Sequence, residues 1–477
     1  MGRTASQSSA PSRSAEVLAQ LARYESRNVT FLDPDGTWPI VWERAHGTHV
    51  WDAEGRRYLD LTAAFGVASA GHANEAVVRA GSAQMAKLLH AMGDVHPHAL
   101  KAELARELSR LTFERWTGLP TASLRARPER IAGRGRLVPA TPVRTSRPHP
   151  ATPLHGKTLF CNSGFEAVEA ALKTAHLATG RPGIIAFQGA YHGLGYGALN
   201  ATHRGFFRDP FRQQLREFGN FVPFPTTAEQ LDATERALKA VARKTKIGAV
   251  LLEPMQARGG INIPPTGLLP LLRRWCDQHG ALLIVDEIYT GFGRTGRWFA
   301  CEHSGTVPDL ICLGKALTGG FPLSACVGRA DVMDTAWPAS AGEAIHTSTF
   351  LGHPVGCAMA LAQIRELTRR KLPARAAALG LRALAALREL EIPAGLRAEA
   401  RGVGLLLGLE LRLAYGAPAT AASLAIIKAL LHRGFILLPE GEHANVISFT
   451  PPLTISWRDF AKALRALQIE LHRVALA

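Results

Sequence analysis

The sequence predicts an α/β protein, with a doubly wound, mostly parallel sheet and a smaller α+β domain built from the two ends of the chain. Three observations carry this. Between residues 158 and 286, strand-length apolar runs alternate with helix-length segments, as in strand–helix–strand crossovers. The runs at 247–252 and 281–285 are continuously apolar, which is the pattern of strands covered on both faces. Ser163, Tyr191, Gln256 and Asp286 all fall at predicted strand ends, where the sites of such sheets gather.

Residues 1–13 (MGRTASQSSAPSR) are small, polar and basic, and are expected to form a disordered tail. Residues 14–72 read as the N-terminal part of the small domain. A helix runs from Ser14 toward Tyr24, and 40–50 and 57–61 alternate like hairpin strands, with turns at 45–47 and 52–55. The large domain is expected over 73–343 and opens with amphipathic helices at 76–87 and 100–112. Periodicity then stops. From 118 to 153 the chain is rich in Pro, Gly, Arg and Thr, which marks a basic insertion over about 119–153.

The pattern resumes with a strand at 158–162. Ser163-Gly164-Phe165-Glu166 then opens a helix that stops at Gly180. Ser163 and Glu166 have capping-box spacing, and Gly164 lets a ligand approach the backbone. Free N–H groups at a helix start form a ready phosphate site. Strands follow at 183–187 and 247–252, and a crossover helix at 268–279 returns the chain to the strand at 281–285. Residues 344–477 complete the small domain with a helix at 373–390, a strand at 404–411 and two later helices.

Length and composition (477 residues, 47% hydrophobic, 20% charged) fit a soluble globular chain of two or three packed units. No apolar run reaches membrane-span length, so no membrane is expected. Six cysteines form no CxxC pair; they read as buried free thiols of a reducing, cytoplasmic compartment, and no metal is expected. Of the net charge of +16, six charges fall in 125–147, which holds seven arginines and one glutamate. That stretch lacks aromatic residues for stacking on bases, so it reads as a solvated insertion and no nucleic acid is expected.

The chemistry centres on 281–329. Asp286 ends an apolar strand, and Lys315 lies in an apolar, glycine-rich stretch where it must shed hydration. A desolvated lysine supplies the neutral amine that a Schiff base needs. A carboxylate at a strand end suits a pyridine nitrogen. With the intervening TGFGRTGR and the following TGGFP, this block resembles the cofactor core of the class III aminotransferases, which are fold type I pyridoxal-phosphate enzymes. The resemblance extends to NSGFEAVEAALK, YHG, EPMQ and HTSTF.

It implies pyridoxal 5′-phosphate as cofactor, Lys315 and Asp286 as the catalytic pair, and Ser163 and Gly164 as phosphate ligands supported by Asn162. Tyr191 and Ile288 would hold the ring from opposite faces, Gln256 would lie near its 3-hydroxyl, and Glu253 near the ring or strand end. His192 reads either as a supporting group or as a satisfied loop histidine. Thr349 would reach the cofactor of a neighbouring subunit, which makes the enzyme a homodimer with shared sites. Phe65 would line the substrate mouth.

Two departures concern substrate. Ser448 stands before Phe449-Thr450-Pro451-Pro452-Leu453, where many relatives carry arginine, and Arg258 replaces the glutamate of EPxQxE. The missing arginine removes a bidentate carboxylate clamp, and Arg258 is the candidate to replace part of it. The expected reaction is ping-pong transfer of an amino group from an ω-amino acid or other amine to a keto acid or aldehyde. A racemase, aminomutase or lyase on the same scaffold is the alternative, and a non-catalytic basic binding protein is the third reading.

Overall fold

The computed structural model describes residues 12–33, 36, 38–117 and 154–475. The basic segment expected at 119–153 and most of the tail expected at 1–13 lie outside the described residues. Ser12 and Arg13 are already structured: Ser12 caps the helix Arg13–Tyr24 by accepting from the Ala15 N–H.

The central sheet has seven strands, in the order Gly156–Cys161, Ser324–Arg329, Leu310–Leu313, Leu282–Asp286, Ile247–Leu252, Gly183–Phe187, Gly219–Val222. Neighbours are parallel throughout except at Ser324–Arg329, which runs antiparallel to both of its partners. The cause is the connection before it. Residues 314–323 are fewer than the dozen or more that a parallel crossover needs.

Alternate residues of the inner strands feed two separate cores. Val250, Leu252, Leu283, Val285, Ile311 and Leu313 pack on one face, against helices that include Leu268–His279. Ala249, Leu251, Ile284, Leu310 and Cys312 pack on the other, against the alanine-rich face of the helix Gly164–Thr179. Both faces being covered is why these strands read as unbroken apolar runs.

The chain ends meet in a second sheet. Trp42–His46, His49–Asp52 and Arg57–Asp60 pair in antiparallel order, and Phe435–Ile436 adds in parallel to the last. A third sheet orders Leu396–Val403, Leu406–Leu413, Val446–Phe449 and Leu438–Glu440. Asn74 caps the helix Glu75–Lys87, accepting from the N–H groups of Ala76 and Val77, and His72 Nε2 lies 2.7 Å from buried Asp60. All six cysteines are buried and free. Among the described residues no helix is long and apolar enough to cross a membrane.

Candidate active site

At the C-terminal ends of the parallel strands lies a cavity of about 320 Å³, lined among others by Gly164, Tyr191, Glu253, Arg258, Asp286 and Lys315. Each enters from a strand end or the loop beyond it, so the topology alone brings together residues more than 150 positions apart.

Asp286 is 4% exposed, and both of its oxygens are engaged. His192 Nδ1 lies 2.8 Å from Oδ2, and the Ile288 N–H donates to Oδ1 at 3.1 Å. His192 is therefore a fixed partner of Asp286 rather than a free loop side chain. Its other ring nitrogen, Nε2, is buried without a partner. Lys315 follows Gly314 directly after the strand Leu310–Leu313, and its backbone sits in the left-handed region at φ 43°. For a residue with a side chain that conformation costs on the order of 1 kcal/mol, and the surrounding packing holds it. Its Nζ lies 4.9 Å from the centre of the Tyr289 ring. Burial, the largest influence, lowers the Lys315 pKa, while Asp286 and Glu253 pull it back up.

Glu253 is buried against the same cavity. Burial pushes its pKa up to about 7, although it accepts N–H groups from Tyr191 (3.0 Å) and Ala257 (3.1 Å). Through the first of these bonds it anchors the loop that presents Tyr191. The Tyr191 ring is backed edge-on by Phe207, with ring centres 5.5 Å apart.

The helix Gly164–Thr179 points its N-terminus at the cavity. Ser163 is its N-cap, but the expected capping box does not form: Ser163 makes no side-chain cap bond. Glu166 instead accepts from the Asn162 N–H at 2.7 Å and from Asn162 Nδ2 at 3.2 Å. Ser163 Oγ is left buried with no partner. An orphaned hydroxyl beside free first-turn N–H groups is what a bound phosphate would satisfy. A Cβ on Gly164 would come within 3.0 Å of Ile288 Cδ1, so Ile288 packs directly over the helix start. With Asp286 and Lys315 alongside, the residues present fit pyridoxal phosphate.

Two of the residues expected at the cofactor or substrate lie outside the cavity lining. Gln256 is 1% exposed; its Nε2 donates to Gln188 O at 2.7 Å and its Oε1 accepts from Asn262 Nδ2 at 2.9 Å. One end of the amide thus holds a backbone carbonyl and the other a side-chain amide, and Gln256 is not in the cavity wall. Ser448 is 2% exposed and donates across its sheet to Leu438 O at 3.1 Å, which takes it out of substrate contact. Thr349 is exposed and outside the cavity of its own chain.

Phe65 is outside the cavity lining, with its ring centre 5.8 Å from the guanidinium carbon of Arg258, and its conformation is unusual. Ala63, Ala64 and Phe65 all have positive φ (48°, 48° and 60°), followed by Gly66 at 79°. Buried Asp60 fixes this left-handed turn by accepting the N–H groups of Thr62 and Ala64. The structure also adds residues the sequence reading missed. Tyr289 lines the cavity, with its hydroxyl 3.2 Å from Thr450 Oγ1; its place three residues after Asp286, in the same strand-end turn, was the available signal. Glu440 stands behind Arg258, on a short strand that no local pattern marks.

The sequence pattern of the aminotransferase class-III family matches residues 32–120 and 147–471. The chain belongs to this family. It is 34% identical to 5-aminovalerate aminotransferase DavT of Pseudomonas aeruginosa, over 90% of this chain and 92% of that protein. It is likewise 34% identical to a putrescine aminotransferase of Pectobacterium atrosepticum, over 91% of this chain and 83% of that one. The crystal structure of ornithine aminotransferase from Toxoplasma gondii superposes with a TM-score of 0.76 at 26% identity, covering 96% and 95% of the two chains. The protein is a pyridoxal-phosphate-dependent aminotransferase of fold type I.

Proposed function

We propose that this aminotransferase takes its amino group from the terminal amine of an ω-amino acid or related amine, with Lys315 and Asp286 as its catalytic pair. The observation that carries the assignment is the cavity itself, which joins a desolvated lysine, a doubly anchored carboxylate and an open helix N-terminus. Bound pyridoxal phosphate supplies an electron sink for the carbon from which a proton is removed. Asp286, held by His192 and the Ile288 N–H, keeps a proton on the ring nitrogen. Lys315 removes the substrate proton as base and returns it as acid. Ser163, Gly164 and the first-turn N–H groups hold the phosphate, and Tyr191 and Ile288 confine the ring. The named relatives act on 5-aminovalerate and putrescine, both substrates with a terminal amine.

The working unit in this reading is a cytoplasmic homodimer in which Thr349 serves the neighbouring site. Support comes from exposed Leu89, Met92 and Val95, joined to the Thr349 segment by Thr347 Oγ1 donating to Asp94 at 2.8 Å. The buried free thiols fit a reducing compartment.

Mixing the pyridoxal-loaded enzyme with 5-aminovalerate, without acceptor, is the test. Conversion of the cofactor absorbance to its pyridoxamine form, with one aldehyde released per site, is expected. An unchanged spectrum with this donor and with putrescine would refute the substrate class.

A further inference from the structure

The loop at 346–353, which carries Ser348 and Thr349, is held by three histidines, and each of them serves as an acceptor. At one end Lys173 Nζ lies 3.2 Å from His346 Nδ1. An ammonium has only hydrogens to offer, so the imidazole supplies the lone pair. At the other end His353 is the N-cap of the helix Pro354–Arg369, and its Nδ1 accepts the Val355 N–H at 3.3 Å. His98 is the N-cap of the helix Ala99–Ser109, and its Nδ1 accepts the Lys101 N–H at 3.3 Å. Its other nitrogen, Nε2, lies 2.7 Å from Gly352 O. A carbonyl only accepts, so Nε2 carries the proton and Nδ1 keeps its lone pair for the cap.

Ser, Thr, Asp and Asn are the usual caps, and none of them titrates near neutrality. Here two caps and one lysine contact depend on a single chemical state. A proton on Nδ1 would set donor against donor at all three places. It would also put positive charge at two helix N-termini, where the helix dipole opposes it. The other anchors of the loop are slight. Thr347 Oγ1 donates to exposed Asp94 at 2.8 Å, and Asn162 Nδ2 donates to Ser348 Oγ at 3.4 Å.

We propose that His98, His346 and His353 form an acid-sensitive latch: with all three neutral the 346–353 loop is held in place, and their protonation releases it. Where the loop serves the neighbouring site through Thr349, as proposed above, its release also loosens the cofactor there. The latch itself rests only on bonds within one chain.

The surroundings favour the neutral rings. Burial, followed by His90 and His98, lowers the pKa of His353 from its ordinary 6.5. Burial, followed by Lys173, lowers that of His346, against Glu169 and Glu166. Around Gly352, Cys357 Sγ approaches the same carbonyl as His98, at 3.4 Å, and Lys101 Nζ donates to Gly93 O at 2.6 Å. Asp94 is the acid on that side. For His346 and His353 the released loop takes up protons near 6.5 and the latched loop only below it. The latch therefore weakens as pH falls from 6.5.

Hydrogen exchange of the pyridoxal-loaded enzyme tests this, read by mass spectrometry on peptides spanning 344–356 and corrected for the intrinsic pH dependence of exchange. Between pH 7.5 and 5.5 the wild-type loop should lose protection by roughly tenfold or more. The triple substitution His98→Asn, His346→Asn and His353→Asn keeps an acceptor at each place and does not titrate, so its protection should be the same at both pH values. His353→Ala removes one acceptor at every pH and should expose the loop already at pH 7.5. A wild-type loop equally protected at both pH values, or an acid opening that survives the triple substitution, would overturn the proposal. Cofactor absorbance retained after gel filtration is the separate reading. A loop that opened in acid with the cofactor still held would keep the latch and remove Thr349 from the neighbouring site.

Discussion

Gly164→Ala isolates the packing of the helix start against Ile288. The backbone of Gly164 is not in the left-handed region, and Ala at the first helical position is favourable by up to about 1 kcal/mol. The new Cβ would lie 3.0 Å from Ile288 Cδ1 and 3.1 Å from Cγ2, several tenths of an ångström inside normal contact. Ile288 must move, and it already borders the cavity. The open direction is the cavity. Without cofactor, Ile288 swings into that space and the two effects nearly cancel, so the apoprotein Tm should change by no more than about 2 °C. With cofactor, the same space is required for the ring, and overpacking costs about 1–2 kcal/mol. Pyridoxal-phosphate affinity, followed by absorbance titration, should fall by roughly 5- to 30-fold. Adding Ile288→Ala removes both contacting carbons and should recover at least half of that loss in free energy. An apoprotein destabilised as much as cofactor binding, or affinity equal to wild type, would refute the reasoning.

Glu287 is fully buried, accepting from Cys301 N at 2.8 Å and from Thr290 Oγ1, and burial pushes its pKa up to about 7 from 4.5. The folded state holds this proton where the unfolded state has lost it, so stability falls as pH rises from 4.5 to 7. Glu287→Gln, which mimics the protonated form, should stabilise the apoprotein at pH 8 by about 1–3 kcal/mol in denaturant titration, and change little at pH 4.5. Arg294 is 0% exposed and donates to Leu405 O at 3.1 Å and Pro451 O at 2.6 Å. Arg294→Ala leaves a cavity and two unsatisfied carbonyls, so urea unfolding should show a loss of about 3–5 kcal/mol.

The parallel sheet and its strand-end site were legible because doubly covered strands leave unbroken apolar runs, and because Asp286, Tyr191 and Ser163 follow directly on such runs. The antiparallel strand Ser324–Arg329 was not legible, since its direction follows from a short connection rather than from its own composition. Gln256 and Ser448 sit in the expected segments, yet their side chains turn to backbone partners that only the folded chain brings close: Gln188 for one, Leu438 for the other. Asn162, only four residues away, takes Glu166 from the capping box through a local bond and leaves Ser163 Oγ free. Glu440 was invisible. Its importance lies in standing beside Arg258, 182 positions earlier in the chain, and no local pattern records that.

The account turns on which amine carries the cofactor. Borohydride reduction of the pyridoxal-loaded protein, followed by proteolysis and mass mapping, should place one pyridoxyl group per chain on Lys315, with none on Lys315→Ala. Labelling at another lysine, or equal labelling of the substituted protein, would contradict it.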